Sequence, residues 1–274
     1  FDGASGFVGK AFKKLYNVPP VGGRIFLLGM ICGYPVGAKL TADAYKNGEL
    51  SKAGAKTVAA LSSMSGPLFI ISLVGASLLK NAAAAVIILI SHYLSAVFCG
   101  LFFKNKTAAS AAQNGGSMPP PRNLNHDSRQ SGGRGDALAE TVSSAITTIL
   151  TVGGFIALFN MICDIALNSK ILAPLSAALT LATKNESAST AVLLSFIEMT
   201  RGISDLCASK LPLPFLIPLI SALVSFGGLS VTLQSLSFLK PAGVSLFTFL
   251  KIKSVQSLSA AFFASAFTLI FLFF

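Results

Sequence analysis

The chain has no tryptophan, two histidines (His92 and His126) and ten acidic residues against 21 basic ones in 274. Charged residues make up 11% of it, less than half of the roughly 25% carried by a soluble domain. With 53% hydrophobic residues and a mean hydropathy of +0.73, that shortage of charge excludes an ordinary soluble globule. The four cysteines, Cys32, Cys99, Cys163 and Cys207, form no C-x-x-C pair and lie in or beside apolar stretches. They read as small buried hydrophobes, not as a zinc, redox or disulfide framework. No Gly-rich phosphate loop leads to Lys-Ser/Thr, no histidine pair has zinc spacing, and no Ser/His/Asp set falls at one depth. No enzyme, cofactor or metal is therefore expected. Without Trp, the interfacial belt must rest on Tyr16, Tyr34, Tyr45, Tyr93 and phenylalanines near span ends.

What the chain has instead is a series of long apolar runs. The net charge of +11 lies mostly between those runs, which is the membrane-orientation pattern and not a nucleic-acid footprint. The expected partners are a lipid bilayer and a small polar solute, with a homo-oligomer open and nucleic acid excluded. Residues 1–20 are short, basic and of mixed polarity. Residues 21–40 are apolar but interrupted by Gly33, Tyr34, Pro35 and Gly37, so they read as a re-entrant or broken segment. Gly33-x-x-x-Gly37 matches a dimer motif in form, but Pro35 inside it argues against a straight packing helix. Thr41–Lys56 reads as a polar connection with an Asn47-Gly48 turn.

Thr57–Leu79 reads as a full span broken by Ser62-Ser63-Met64-Ser65-Gly66-Pro67, and Ala82–Phe103 as an unbroken span except for His92. Residues 104–136 have the composition of a disordered linker; the Arg134-Gly135-Asp136 tripeptide within them is a chance match. From Ala137 the apolar spacing is helical to Leu167 and suggests one helix that lies at the interface and then dips in. Ile171–Thr183 and Ala188–Gly202 suit a hairpin that enters and leaves on one side. Leu213–Leu236 is a second broken span, interrupted at Ser225-Phe226-Gly227-Gly228-Leu229-Ser230. Lys240, Lys251 and Lys253 bracket a short run, and Val255–Phe274 is the last span.

If residues 104–136 are cytoplasmic, most basic loop residues, including Lys253, fall inside. The two broken spans then run in opposite directions. Matching broken elements of opposed direction are the mark of an inverted-repeat carrier, with substrate at the midplane. The expected fold is an all-α integral membrane protein, a polytopic bundle with an inverted repeat, broken helices and re-entrant hairpins. Its parts are a first repeat half at 1–103, the linker, and a second half at 137–274. The second half owns a module, Glu140 to Ile162, without a counterpart in the first. That counterpart is expected upstream of Phe1.

The residues proposed to bind substrate are Lys39, Ser65, Gly66, Arg201, Gly227, Gly228, Ser230 and Gln234, with Gly33, Tyr34, Pro35, Gly37 and Pro67 shaping the broken backbone. Glycine admits a ligand close to the main chain, though small residues also pack membrane helices. Glu198 and Arg201 share a helical face and make either an internal ion pair or a site: Arg201 gripping an anion, Glu198 taking a proton or cation. Lys39 serves an anion or is a loop lysine. His92 makes an interhelical hydrogen bond or relays a proton.

The block Gly33-Tyr34-Pro35-Val36-Gly37-Ala38-Lys39-Leu40, followed by Ser65-Gly66-Pro67-Leu68-Phe69, resembles the YlbJ, or SpoVV, family of sporulation integral membrane proteins. Ile149–Ile156 is similar to that family's nucleoside-recognition, or Gate-type, element. Ile197–Ile203 and Ser225–Val231 also match its pattern, so the resemblance covers most of residues 15–265 outside the linker. It implies a polytopic bacterial membrane protein of the outer forespore membrane that moves dipicolinate during sporulation. The family's N-terminal spans are missing, and Ser62-Ser63-Met64-Ser65 stands where Asn-rich sequence is expected. A non-transporting scaffold for spore or envelope assembly, and a Gate-type nucleoside or ion permease, are the alternatives.

Overall fold

The computed structural model describes residues 2–104 and 134–273. Among them every regular element is a helix. Four helices are long and apolar enough to cross a membrane, five if one bent pair counts as a span. The protein is an all-α, multi-pass membrane protein.

Helix α1 (Asp2–Tyr16) meets α2 (Pro20–Cys32) at a bend of 110°. Phe12 of α1 packs against Phe26 of α2 with the rings tilted, and Tyr16 is buried, its hydroxyl donating to the Val97 carbonyl at 3.0 Å. Tyr16 is thus a core residue and not part of an interfacial belt. A break at Gly33-Tyr34-Pro35 separates α2 from α3 (Val36–Lys46), as the Gly and Pro there require. α3 and α4 (Lys52–Ser62) replace most of the expected polar connection at 41–56. The amphipathic α3 buries Thr41 and Ala44 and leaves Lys46 exposed, and Ser51 caps α4 by accepting from the Gly54 N–H.

After a second break, α5 (Leu68–Leu79) is wound as a π-helix, and α6 (Ala82–Phe102) is unbroken. The turn between them puts Lys80 in the left-handed region at φ 50° and lets Asn81 cap α6 through the Ala84 N–H. The same Lys-Asn device recurs at Lys184 (φ 51°) and Asn185, which caps the Ala188 N–H.

Of the expected linker, residues 105–133 lie outside the described residues, and 134–136 already belong to α7 (Arg134–Asn168). α7 is one continuous helix through Gly153-Gly154, as the apolar spacing predicts, and the part from Val142 to Asn168 is long and apolar enough to cross a membrane. It is peripheral: only 11% of its most apolar stretch is buried, against 67% for the interrupted span at Leu213–Ala242. The hairpin expected at 171–202 is three helices: α8 (Ala173–Thr183), α9 (Glu186–Ile197) and α10 (Met199–Ala208). The interruption is at Glu198, between α9 and α10. Next come α11 (Leu213–Phe226) and α12 (Gly228–Leu239), parted at Gly227, then α13 (Leu246–Phe273). α13 absorbs both the short run and the last span expected from the sequence, so Lys251 and Lys253 sit inside a helix.

Element order therefore recurs. A helix–break–helix (α2–α3, then α9–α10) precedes a broken span (α4–α5, then α11–α12), and an unbroken helix follows (α6, then α13). The two sets interleave: α11 and α13 pack on α6, and α12 packs on α3. One apolar core mixes Ile70, Val74 and Ile88 with Ile203, Ile220 and Val224.

Candidate functional site

Four interruptions converge. In the first set the α2–α3 break lies against the α4–α5 break: a Cβ built on Gly33 would stand 2.5 Å from the Gly66 nitrogen, and one on Gly66 would stand 3.2 Å from the Ile31 carbonyl oxygen. In the second set a Cβ on Gly228 would stand 2.7 Å from the Ser195 carbonyl oxygen and 3.3 Å from the Met199 nitrogen. Gly33 and Gly228 also have φ of 73° and 68°, which any residue with a Cβ resists. Each re-entrant break is thus seated on its own broken span by contact that only glycine permits.

Two side chains cross between the sets. The Ser65 N–H donates to His92 Nε2 at 2.8 Å, and His92 Nδ1 lies 2.7 Å from Ser225 Oγ. Since Nε2 accepts, a neutral ring carries its proton on Nδ1 and donates to Ser225. Lys253 is fully buried. Its Nζ donates to Tyr34 Oη at 2.5 Å, the Ser63 carbonyl at 2.9 Å and Gln256 Oε1 at 2.7 Å. The positive-inside pattern assigns Lys253 to the cytoplasm; the structure corrects that to the centre of the bundle.

Between the interruptions lies a cavity of about 430 Å³. Gly33 and Tyr34 line it from the first re-entrant break, Ser65 and Gly66 from the first broken span, and Glu198 and Thr200 from the second re-entrant break. Val231 and Gln234 of α12, Leu68 and Phe69 of α5, and Val152 and Ile156 of α7 complete the wall. Cys32 also lines it and is exposed, unlike the buried hydrophobe expected.

Glu198 is 1% exposed. It caps α10, its Oε2 accepting from the Arg201 N–H at 2.7 Å, and no cation pairs with it among the described residues. A charged group at this depth costs about 2.5–3.5 kcal/mol on insertion scales, so its charge needs a partner or a proton. Gln234 donates to Ser230 Oγ at 3.1 Å, and both are buried.

Other expected residues lie elsewhere. The Arg201 guanidinium turns to Asp205 at 3.2 Å and Asp164 at 3.3 Å, not to Glu198. Lys39 donates to Ser144 and Thr148 on α7, at a separate polar cleft lined also by Ser143, Thr147 and Thr151. Gly37 is buried in α3 and Pro35 precedes that helix, while Pro67 precedes α5. Gly227, in the left-handed region at φ 83°, parts α11 from α12. Lys253 escapes sequence reasoning, because a lysine near a span end looks like a loop lysine; only its remote oxygen partners set it apart. Among the described residues, no cluster of His, Cys, Asp or Glu could hold a metal ion.

No family model and no solved structure matches the chain. It is 27% identical over 264 residues to "Sporulation integral membrane protein YlbJ" of Bacillus subtilis (strain 168). The match covers 92% of this chain and 65% of that relative, so the chain spans about two thirds of the length of the curated protein it matches. That likeness, carried by a chain of the same membrane class, supports assigning it to the YlbJ-type family.

Proposed function

We propose that this chain forms the solute pathway of a carrier that moves a small polar, anionic solute by alternating access in the membrane of a sporulating bacterium. The observation that carries the proposal is the cavity lined by three of the four helix interruptions and by α12 just past the fourth, with the buried Glu198, unpaired with any cation among the described residues, in its wall. Interrupted helices are costly in a bilayer unless the freed groups face a cavity, and carriers place substrate and coupling ion at such interruptions.

The start of α5, with Leu68 and Phe69, and the start of α10, with Met199 and Thr200, also face the cavity. The positive end of a helix dipole favours an anionic group. Glu198 is the candidate for a coupling proton or cation. Sporulation enters through the relative's name, and dipicolinate through the family resemblance. The forespore outer membrane is the corresponding location.

The test is uptake of labelled dipicolinate by vesicles containing the purified protein. Wild type accumulates it, and Glu198→Gln and Gln234→Ala reduce initial rates at least tenfold while remaining folded. Equal uptake by folded variants and wild type would sink the site. No uptake by wild type above empty vesicles would favour the scaffold alternative.

A further inference from the structure

Lys253 has no role in that cycle, yet it is a fully buried lysine whose side-chain nitrogen finds no acidic partner among the described residues. Three neutral oxygens hold it: Tyr34 Oη, the Ser63 carbonyl and Gln256 Oε1. An ammonium has three N–H groups and accepts nothing, so three acceptors satisfy it fully.

Two of those oxygens belong to interruptions. Tyr34 lies in the α2–α3 break. Ser63 caps the C-terminus of α4, where last-turn carbonyls lack intrahelical partners and the helix dipole is negative. Unwound carbonyls and half-helix C-termini are the donors with which carriers coordinate a coupling alkali cation. Ser63 Oγ is also buried without a hydrogen-bond partner, so the break holds one oxygen more than the ammonium uses.

We propose that Lys253 is a built-in monovalent cation. Its ammonium occupies an alkali-cation site between the α2–α3 and α4–α5 breaks and fastens the two without a free ion. The consequence for transport rests on the carrier reading above: coupling at this break needs neither Na⁺ nor K⁺.

The test measures thermal unfolding of the full chain in nanodiscs, at constant ionic strength, in sodium, potassium, methylammonium or choline chloride. The wild-type midpoint is the same in all four. Lys253→Ala lowers it in choline, and a small cation restores it saturably. Lys253→Met, which fills the space without charge, is not restored by any of them. A Lys253→Ala protein that responds to small cations no better than to choline overturns the proposal. So does a wild type stabilised selectively by Na⁺ or K⁺.

Should Lys253→Ala fold in no salt, ¹⁵N-lysine spectra of the wild type decide, with Lys253→Arg identifying the Nζ signal. A solvent-protected ammonium resonance is expected, and a neutral amine overturns the assignment. No readout involves solute uptake, so failure here and failure of the carrier reading are separable.

Discussion

Ser225 Oγ lies 2.7 Å from Nδ1 of His92, across 133 residues of chain, while Nε2 of the same ring accepts from the Ser65 main chain. One imidazole thus ties both broken spans. Ser225→Ala strands the buried Nδ1–H and costs about 1–3 kcal/mol, the desolvation penalty of an unsatisfied donor. His92→Phe removes both ring nitrogens, strands the Ser65 N–H and the Ser225 hydroxyl together, and costs more. Unfolding in mild detergent ranks the two, and an unaffected Ser225→Ala would deny the tie.

The glycines separate into two groups by what a methyl would meet. Gly33→Ala and Gly228→Ala combine positive φ with backbone contact at 2.5 and 2.7 Å, and each is expected to cost several kcal/mol or prevent folding. Gly153→Ala and Gly154→Ala meet nothing within 4 Å in the middle of α7, and each should gain roughly 0.5–1 kcal/mol from helix propensity. Expression and melting of the four single variants check this directly.

Glu198 has two separable tasks. Glu198→Gln keeps an oxygen for the Arg201 N–H and removes the buried charge, so stability holds or rises while uptake falls. Glu198→Ala loses the cap too, at about 1 kcal/mol. Parallel melting and uptake curves for the two variants distinguish the cap from the charge.

Arg201 sits in a partly exposed network with Asp164 and Asp205, its side chain 34% exposed. Such pairs contribute about 0–1 kcal/mol. Arg201→Ala and Lys39→Ala, both outside the cavity wall, are expected to lower uptake less than Glu198→Gln. A larger loss from either would move the solute site toward the α7 cleft or the Arg201 network.

Cys32 offers a native reporter, since it is exposed and lines the cavity. Alkylation of Cys32, followed by mass spectrometry of its peptide, should slow as dipicolinate is added and remain unchanged with an inert sugar. Identical rates with both would argue against solute in this cavity.

Sequence carried the architecture where Gly and Pro do the interrupting. The breaks at Gly33-Tyr34-Pro35, Ser63–Pro67 and Gly227 announce themselves because those residues cannot continue an unstrained helix. The break at Glu198 has neither residue beside it; it exists because a glutamate side chain caps the next helix, and Glu in an apolar run looks like a charge to be paired. α3 is hidden by polarity, since Thr41 and Asp43 read as loop when only one face of the helix is buried. Lys253 is hidden by position: its partners Tyr34 and Ser63 are 219 and 190 residues away, and no local pattern encodes them. The convergence of three of the breaks on one cavity is likewise a property of tertiary packing.

α7 qualifies as a membrane span through an 18-residue apolar stretch within Val142–Asn168, about 27 Å at 1.5 Å per residue, close to a hydrocarbon core of about 30 Å. That length matches the core, so the lean of this peripheral helix is set by its packing and not by mismatch. Its polar cleft is joined to Lys39 on α3, and its Val152 and Ile156 wall the central cavity. A cavity wall is thus built in part by a helix that the rest of the bundle scarcely covers, and any shift of α7 against α3 and α12 would be felt at Val152 and Ile156.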